Sequence, residues 1–104
     1  MLLEKLLDSD LLELTQEYNN LYIEMLFLTE NGERVKLYAS NRNSLPLDIK
    51  FQVLSLSAKK TTLHELPTLG EVEGISWKDG VLLVEGDFGV IRVDTDRVTL
   101  ESGL

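Results

Sequence analysis

The segment Ser76–Leu100, SWKDGVLLVEGDFGVIRVDTDRVTL, constrains the fold more than any other part of the chain. Its Asp79-Gly80 dipeptide is typical of a two-residue β-hairpin turn, because a type I′ turn needs positive φ at both central positions. A turn at this point predicts two pairs of facing apolar residues, Trp77 with Leu82 and Ile75 with Val84.

Two further reversals extend this hairpin. A four-residue loop from Gly86 to Gly89 predicts the pairs Val84 with Ile91 and Leu82 with Val93. A turn at Thr95-Asp96 predicts the pairs Asp94 with Arg97, Val93 with Val98, and Ile91 with Leu100. The three registers agree on one apolar face, and a one-residue slip in any of them would break it. That face consists of Ile75, Trp77, Leu82, Val84, Ile91, Val93, Val98 and Leu100. The opposite face holds Val81, Leu83 and Val90, so it is expected to be partly covered.

The N-terminal half gives a similar pattern. Asn31-Gly32 lies between two β-rich runs and predicts a second hairpin, with the pairs Leu28–Val35, Leu26–Leu37 and Met25–Tyr38. Asn19-Asn20 is a plausible turn between Leu11–Tyr18 and Leu21–Thr29. Leu11–Tyr18 is interpreted as a strand, although leucines with helical spacing before it leave a helix open. Met1–Asp8 is interpreted as a short helical turn or an irregular start.

The middle of the chain is less regular. Asn41–Pro46 reads as a loop. The next run places Leu47, Ile49, Phe51 and Val53 on one side, and its phase changes at Leu54 and Leu56, which indicates a bulge or bend. Ala58–Gly70 is a polar connector without an assignment.

These patterns predict one mainly β domain spanning residues 1–104. An antiparallel hairpin meander would form a two-layer sandwich or an open barrel, with or without a short N-terminal helix. With 104 residues and no cysteine, the chain can build a single core without disulfides or thiolate metal sites. Exposed edge strands favour self-association, so a homodimer through a sheet edge is one possibility.

The net charge of −8 is unevenly placed. Met1–Glu33 contains eight acidic residues and one basic residue, and Arg34–His64 contains one acidic residue and six basic residues. The remainder contains nine acidic and three basic residues. These blocks either pair across the sheet or steer a charged partner, which for an acidic surface is a basic protein. Nucleic-acid binding is disfavoured by the overall acidity, although Tyr38 and Phe51 lie in the basic Arg34–Lys60 segment and could stack on bases.

Neither a signal peptide nor a membrane helix is predicted. The N-terminus MLLEKLLDSD carries charges where a signal peptide needs an apolar run. No apolar run approaches the roughly 20 residues of a membrane span. A soluble, cytoplasmic protein is the expectation.

Candidate chemistry is sparse. His64 is the single histidine and cannot form a multi-histidine metal site. Six carboxylates invite an acid–base or calcium interpretation, but their spacing fits turns and outward strand positions better: Glu71, Glu73, Glu85, Asp87, Asp94 and Asp96. The DFG at Asp87–Gly89 matches a kinase tripeptide by letters alone. Trp77 is expected in the core, and Tyr18, Tyr22 and Tyr38 could line an interface. No catalytic, cofactor-binding or metal-binding residue is predicted.

The segment Leu6–Phe27, LLDSDLLELTQEYNNLYIEMLF, resembles the opening of small bacterial all-β families that include immunity-type proteins and uncharacterised members. Those families often begin with an aromatic-His-Asp-Ser/Ala piece before two strands. Asp8 and Ser9 fit that piece, and Leu7 stands where the histidine would be. The resemblance implies a non-enzymatic bacterial accessory protein and transfers no functional residue.

The sequence therefore favours a non-enzymatic protein-interaction module with an acidic surface, similar to an immunity or inhibitor protein. Two alternatives remain open. One is a β-barrel that binds a small ligand, and the other is a structural subunit that acts by oligomerising.

Overall fold

A computed structural model describes residues 3–16, 20–42, 45–53, 59–60 and 67–102. Within these residues the chain forms one 3-10 turn and ten strands. The elements are the 3-10 turn Leu3–Leu6, β1 Asp10–Gln16, β2 Tyr22–Leu28, β3 Arg34–Ser40, β4 Asp48–Val53, β5 Lys59–Lys60, β6 Pro67–Thr68, β7 Gly70–Lys78, β8 Val81–Gly86, β9 Gly89–Asp94 and β10 Arg97–Ser102.

Eight of these strands form one antiparallel sheet in the order β10-β3-β2-β1-β7-β8-β9-β4, and β5 pairs with β6 separately. We call β10-β3-β2-β1 the first half-sheet and β7-β8-β9-β4 the second half-sheet. They are paired through two residue pairs of β1 and β7, Asp10 with Glu71 and Leu11 with Gly70. The sheet is not closed. The expected mainly antiparallel β fold with a short N-terminal helical turn is confirmed.

A single apolar cluster draws on both half-sheets. The eight residues predicted to share the inner face all belong to it or pack against it, which confirms the face for the six residues on β7, β8 and β9, while Val98 and Leu100 reach the same core from β10 in the first half-sheet. Leu82, Val84, Ile91, Val93 and Val98 are buried, and Ile75, Trp77 and Leu100 are half-buried against the cluster. Leu3 and Leu6 of the 3-10 turn are also buried in it.

The registers of β7, β8 and β9 are those expected from the sequence. Trp77 pairs with Leu82, and Val84 pairs with Ile91. The reversal after β8 is tighter than the predicted four-residue loop, because Gly86 pairs with Gly89 and leaves Asp87-Phe88 as the turn. Phe88 is fully buried, a contribution to the core that the sequence analysis missed.

The predicted third reversal is wrong. β10 pairs with β3, not with β9, and β4 takes the free edge of β9. The cause is Thr95, which is 3% exposed and bonds to the end of β3. Its hydroxyl donates to the carbonyl of Ser40 at 2.7 Å. The chain therefore crosses at Thr95-Asp96 from the second half-sheet to the first, and the simple meander is broken there and between β3 and β4.

The predicted register of β2 and β3 is also wrong, by one residue. Leu28 pairs with Arg34 and Met25 with Leu37. The amide of Gly32, at φ 82°, donates to the carbonyl of Thr29 at 2.9 Å, and Thr29 faces Glu33. This geometry is a three-residue loop with glycine in the left-handed region, which adds one residue to the expected turn.

The structure decides between strand and helix for the segment after the N-terminal turn. Asp10–Gln16 is a strand with a bulge between Leu11 and Glu13, while Tyr18 and Asn19 lie outside the described residues. Asn41, Arg42, Leu45 and Pro46 are loop, as expected. Leu54, Leu56 and most of the Ala58–Gly70 connector also lie outside the described residues, apart from β5, β6, Leu69 and Gly70.

Candidate functional site

The start of β1 and the start of β7 meet where the two half-sheets are paired. The ladder is extended by the amide of Asp8, which donates to the carbonyl of Val72 at 2.9 Å. The amide of Val72 donates in return to the carbonyl of Ser9 at 2.8 Å. The backbone thus holds Asp8 and Asp10 beside Glu71.

Two glycines allow a third segment to approach this ladder closely. Gly70 has φ 143°, and a Cβ there would lie 2.8 Å from the Cβ of Asp87. A Cβ on Gly86 would collide with the carbonyl oxygen of Glu71. Because these side chains are missing, the Asp87-Phe88 turn packs directly on the start of β7, with Phe88 buried beneath it.

Asp87 is fixed to β7 by two hydrogen bonds. Its amide donates to the carbonyl of Glu71 at 3.2 Å, and its carboxylate accepts the amide of Glu71 at 3.4 Å. The turn therefore presents a third carboxylate next to Asp10 and Glu71. Glu30, just beyond the end of β2, is near enough to act on Glu71 electrostatically. We call this group, Asp8, Asp10, Glu30, Glu71 and Asp87, the acidic junction.

The pKa values of two carboxyl groups of the acidic junction, Asp10 and Glu71, are raised. Desolvation raises the pKa of Asp10, and the charge of Asp87 raises it further. Desolvation also raises the pKa of Glu71, followed by the charges of Asp8, Asp10, Asp87 and Glu30. Each of these causes penalises the charged form.

No ion pair offsets this repulsion among the side chains that the structure describes, which do not include those of Lys59 and Lys60. The ion pairs found there are Lys5–Glu33, Lys36–Glu24, Lys50–Asp48 and Arg92–Asp94. None of them includes a carboxylate of the acidic junction. Among the same residues, no group of three or more potential ligands is arranged to hold a metal ion. The acidic junction is a concentration of negative charge at the surface.

The predicted pairing of acidic and basic blocks across the sheet is seen in part. Lys36 on β3 lies 3.9 Å from Glu24 on β2, and its ammonium is 5.8 Å from the ring centre of Tyr38. Tyr38 is half-buried and Tyr22 is 38% exposed, both on the outer side of the first half-sheet. Lys36 is thus engaged by Glu24, which leaves it less able to bind phosphates.

Lys50 and Arg92 flank a groove of about 310 Å³ on the outer side of the second half-sheet. Its other described lining residues are Gln52, Leu83 and Val90. Lys50 and Arg92 lie directly opposite each other on β4 and β9. Each has a carboxylate neighbour on its own strand, Asp48 at 3.8 Å and Asp94 at 3.3 Å.

The remaining residues singled out from the sequence are scattered. Trp77 packs against the core as expected, and its indole N–H donates to the carbonyl of Thr95 at 3.2 Å. Asp96 serves a connection, accepting the amide of Arg42 at 2.9 Å. Glu73 and Glu85 are exposed. His64 and Tyr18 lie outside the described residues.

Of the acidic junction, the sequence analysis named Glu71 and Asp87 but did not join them to Asp8, Asp10 and Glu30. The available signal was the pair of glycines at Gly70 and Gly86. Both permit close backbone approach, but nothing in the sequence says which segments approach each other.

Comparisons with family models, with curated proteins and with solved structures give no significant match to this chain. The helical part of the described residues is the 3-10 turn, and no helix there has the length and apolarity needed to cross a membrane.

Proposed function

We propose that this chain is a non-catalytic protein-interaction module, which binds a basic partner through the acidic junction as an immunity or inhibitor protein does. The observation that carries the proposal is the collection of five carboxylates from four parts of the chain, none of which forms an ion pair with a cation whose side chain the structure describes. Such a cluster costs electrostatic energy in the free protein. A partner that brings lysine or arginine side chains to it relieves that cost.

The chemistry of the site supports binding over catalysis. General acid–base catalysis needs carboxylates in contrasting environments around a substrate, whereas four of these five carboxylates are exposed and Asp10 is half-buried beside them. Electrostatic complementarity of this kind accelerates encounter with a partner and makes the rate fall with salt. A cytoplasmic location, as expected from the sequence, would suit a partner made in the same cell.

The proposal is tested by affinity capture from the source cells with three immobilised proteins. The junction variant carries Asp10→Asn, Glu71→Gln and Asp87→Asn. The control variant carries Glu13→Gln, Asp79→Asn and Glu101→Gln, three exposed acids that do not act on the pKa of Glu71. Both variants have the same net charge, so a difference between them reports position and not total charge.

We expect wild type and control to retain one basic protein, and the junction variant to lose it. Purified partner should associate with wild type more slowly as NaCl rises from about 50 mM to about 500 mM, because the attraction is screened. Capture of the same protein by all three chains, or binding that is insensitive to salt, would contradict the proposal.

A second candidate function is the binding of a small ligand, which the groove beside Lys50 and Arg92 favours. Its volume of about 310 Å³ is at the lower end of small-molecule sites. A thermal-shift screen of metabolites tests it. Stabilisation that is lost in Arg92→Gln but retained in Lys78→Gln, a cation of the same half-sheet outside the groove, would favour this candidate.

A further inference from the structure

We propose that two copies of this chain associate through β4, with the two strands antiparallel and Phe51 facing its counterpart across a two-fold axis. β4 is the last strand of the sheet. Within the described residues, its outer edge is paired with no other strand. The proposal concerns a different surface from the acidic junction and does not depend on the proposed function.

β4 carries Asp48 and Lys50, but it has neither the proline nor the β-bulge that often protects an edge strand. Its sequence, DIKFQV, contains no proline, and its six pairs with β9 run without a bulge. Ile49 is half-buried, and Phe51 is 36% exposed although it continues the inner-face alternation of the strand. Regular edges that expose apolar side chains are templates for pairing with another strand. The other edge, β10, exposes no comparable apolar side chain, because Val98 is buried and Leu100 is half-buried.

The charge around β4 also suits a second copy of a chain with net charge −8. Asp48, Lys50, Arg92 and Asp94 form two side-by-side ion pairs, so this part of the surface is locally neutral. Two copies approaching here avoid the repulsion that most of their surfaces would produce. Added salt should then strengthen self-association, because it screens the repulsion between the rest of the two chains.

Strand geometry limits the possible registers. In an antiparallel pair, directly opposite residues point to the same face. One residue of β4 must therefore lie opposite the same residue of the second copy, with the two-fold axis midway between them. An axis at Lys50 would oppose two lysines that each already face Arg92 on β9. An axis at Ile49 would place Phe51 across from Leu47, which is already buried.

An axis at Phe51 avoids both problems. It stacks the two exposed phenylalanines, and opposite aromatic pairs stabilise a sheet. It also puts Lys50 across from Gln52 of the second copy, where no like charges meet. An interface made by two six-residue strands is small. We therefore expect a dimer that forms only as the protein concentration rises.

The first test is sedimentation velocity of the purified chain over a range of concentrations. Wild type should rise from 11.8 kDa toward twice that mass, and more so in about 500 mM NaCl. Phe51→Lys should stay monomeric. Tyr22→Lys, which makes the same charge change at another exposed aromatic residue, should behave as wild type. A monomer at all concentrations, or dimerisation unchanged by Phe51→Lys, overturns the proposal.

The second test reads the register, using the absence of cysteine from the chain. Single variants Ile49→Cys, Lys50→Cys, Phe51→Cys and Thr99→Cys are oxidised, and disulfide dimers are counted on non-reducing gels. Facing positions in antiparallel strands lie within disulfide range. Fastest cross-linking of Phe51→Cys supports the proposal. Faster cross-linking at Ile49, at Lys50 or at Thr99 on β10 overturns it.

Discussion

Two of the places where the half-sheets are joined are built in opposite ways. At the acidic junction, backbone hydrogen bonds hold exposed carboxylates against one another. At the other join, which we call the Thr95 corner, a buried hydroxyl connects the ends of β3 and β9. Thr95 also receives the indole N–H of Trp77 and donates its amide to Gly80 at 2.9 Å.

The two joins also differ in how readily solution conditions can change them. The hydroxyl of Thr95 has neutral partners and is shielded from water, so changes in salt concentration or pH should affect its hydrogen bonds little. The acidic junction is charged and exposed, and its carboxylates repel each other. The Thr95 corner therefore fixes the fold, whereas the acidic junction is the join that a charged partner or a change in pH can affect.

The largest expected loss of stability follows from filling the space at Gly86 that lets the Asp87-Phe88 turn pack on β7. Gly86→Ala places a Cβ against the carbonyl oxygen of Glu71, and the backbone must move. Overpacking of this kind lowers the free energy of unfolding by about 3 kcal/mol. The loss is measured as a fall in the urea midpoint.

The matched control for that variant is Gly74→Ala on the neighbouring strand. A Cβ there meets the side chain of Glu85 at 3.8 Å, an ordinary contact, so the midpoint should stay close to that of wild type. Equal midpoints for Gly86→Ala and wild type would show that the turn does not pack on β7 as described.

The next largest loss of stability is expected from a substitution at the Thr95 corner. Thr95→Val keeps the shape of the side chain but removes the bond to Ser40 and leaves the amide of Arg97 without its 3.3 Å acceptor. Unsatisfied buried polar groups cost about 2 kcal/mol. The loss should be insensitive to salt, because no charged side chain is involved.

Thr95→Ser, which retains the hydroxyl, should recover most of the lost stability. Thr99→Val, at an exposed position on β10, should change the urea midpoint little. If Thr95→Val and Thr99→Val have the same effect, the corner is not held by the hydroxyl.

These two joins also show why the sequence predicted some parts of the fold and missed others. Asp79-Gly80 specifies its turn locally, and the inner-face residues of β7, β8 and β9 follow from alternation. The partner of β10 is decided by Thr95 reaching Ser40, 55 residues away, and no local pattern records that contact.

The predicted register of β2 and β3 was wrong for a related reason. β2 carries apolar residues on both faces, Leu26 and Leu28 on one and Met25 and Phe27 on the other. Alternation alone could not decide which set faces inward, and the turn type was chosen from Asn31-Gly32 alone. The acidic junction was missed because its members meet only after β1 and β7 are paired.

The smallest expected effect is the pH dependence of the junction. The folded-state pKa values of Asp10 and Glu71 are raised above their ordinary values of 3.8 and 4.5. The folded protein therefore holds these protons more tightly than the unfolded chain does. The ionised pair destabilises the fold at neutral pH, and this cost is removed as pH falls through the raised values toward the ordinary ones. The charges of Asp8, Glu30 and Asp87 contribute to this cost by raising the pKa of Glu71.

A double variant isolates that cost. Asp10→Asn with Glu71→Gln should have a higher urea midpoint than wild type at pH 7, because two charges that are desolvated, and repelled by neighbouring carboxylates, are gone. The difference should narrow as the pH approaches the ordinary carboxyl range, where the wild-type groups are themselves protonated. Added salt should narrow it at pH 7 by screening the repulsion. A gap that stays constant with both pH and salt would mean that the junction is electrostatically unremarkable, and the distinction between the two joins would be lost.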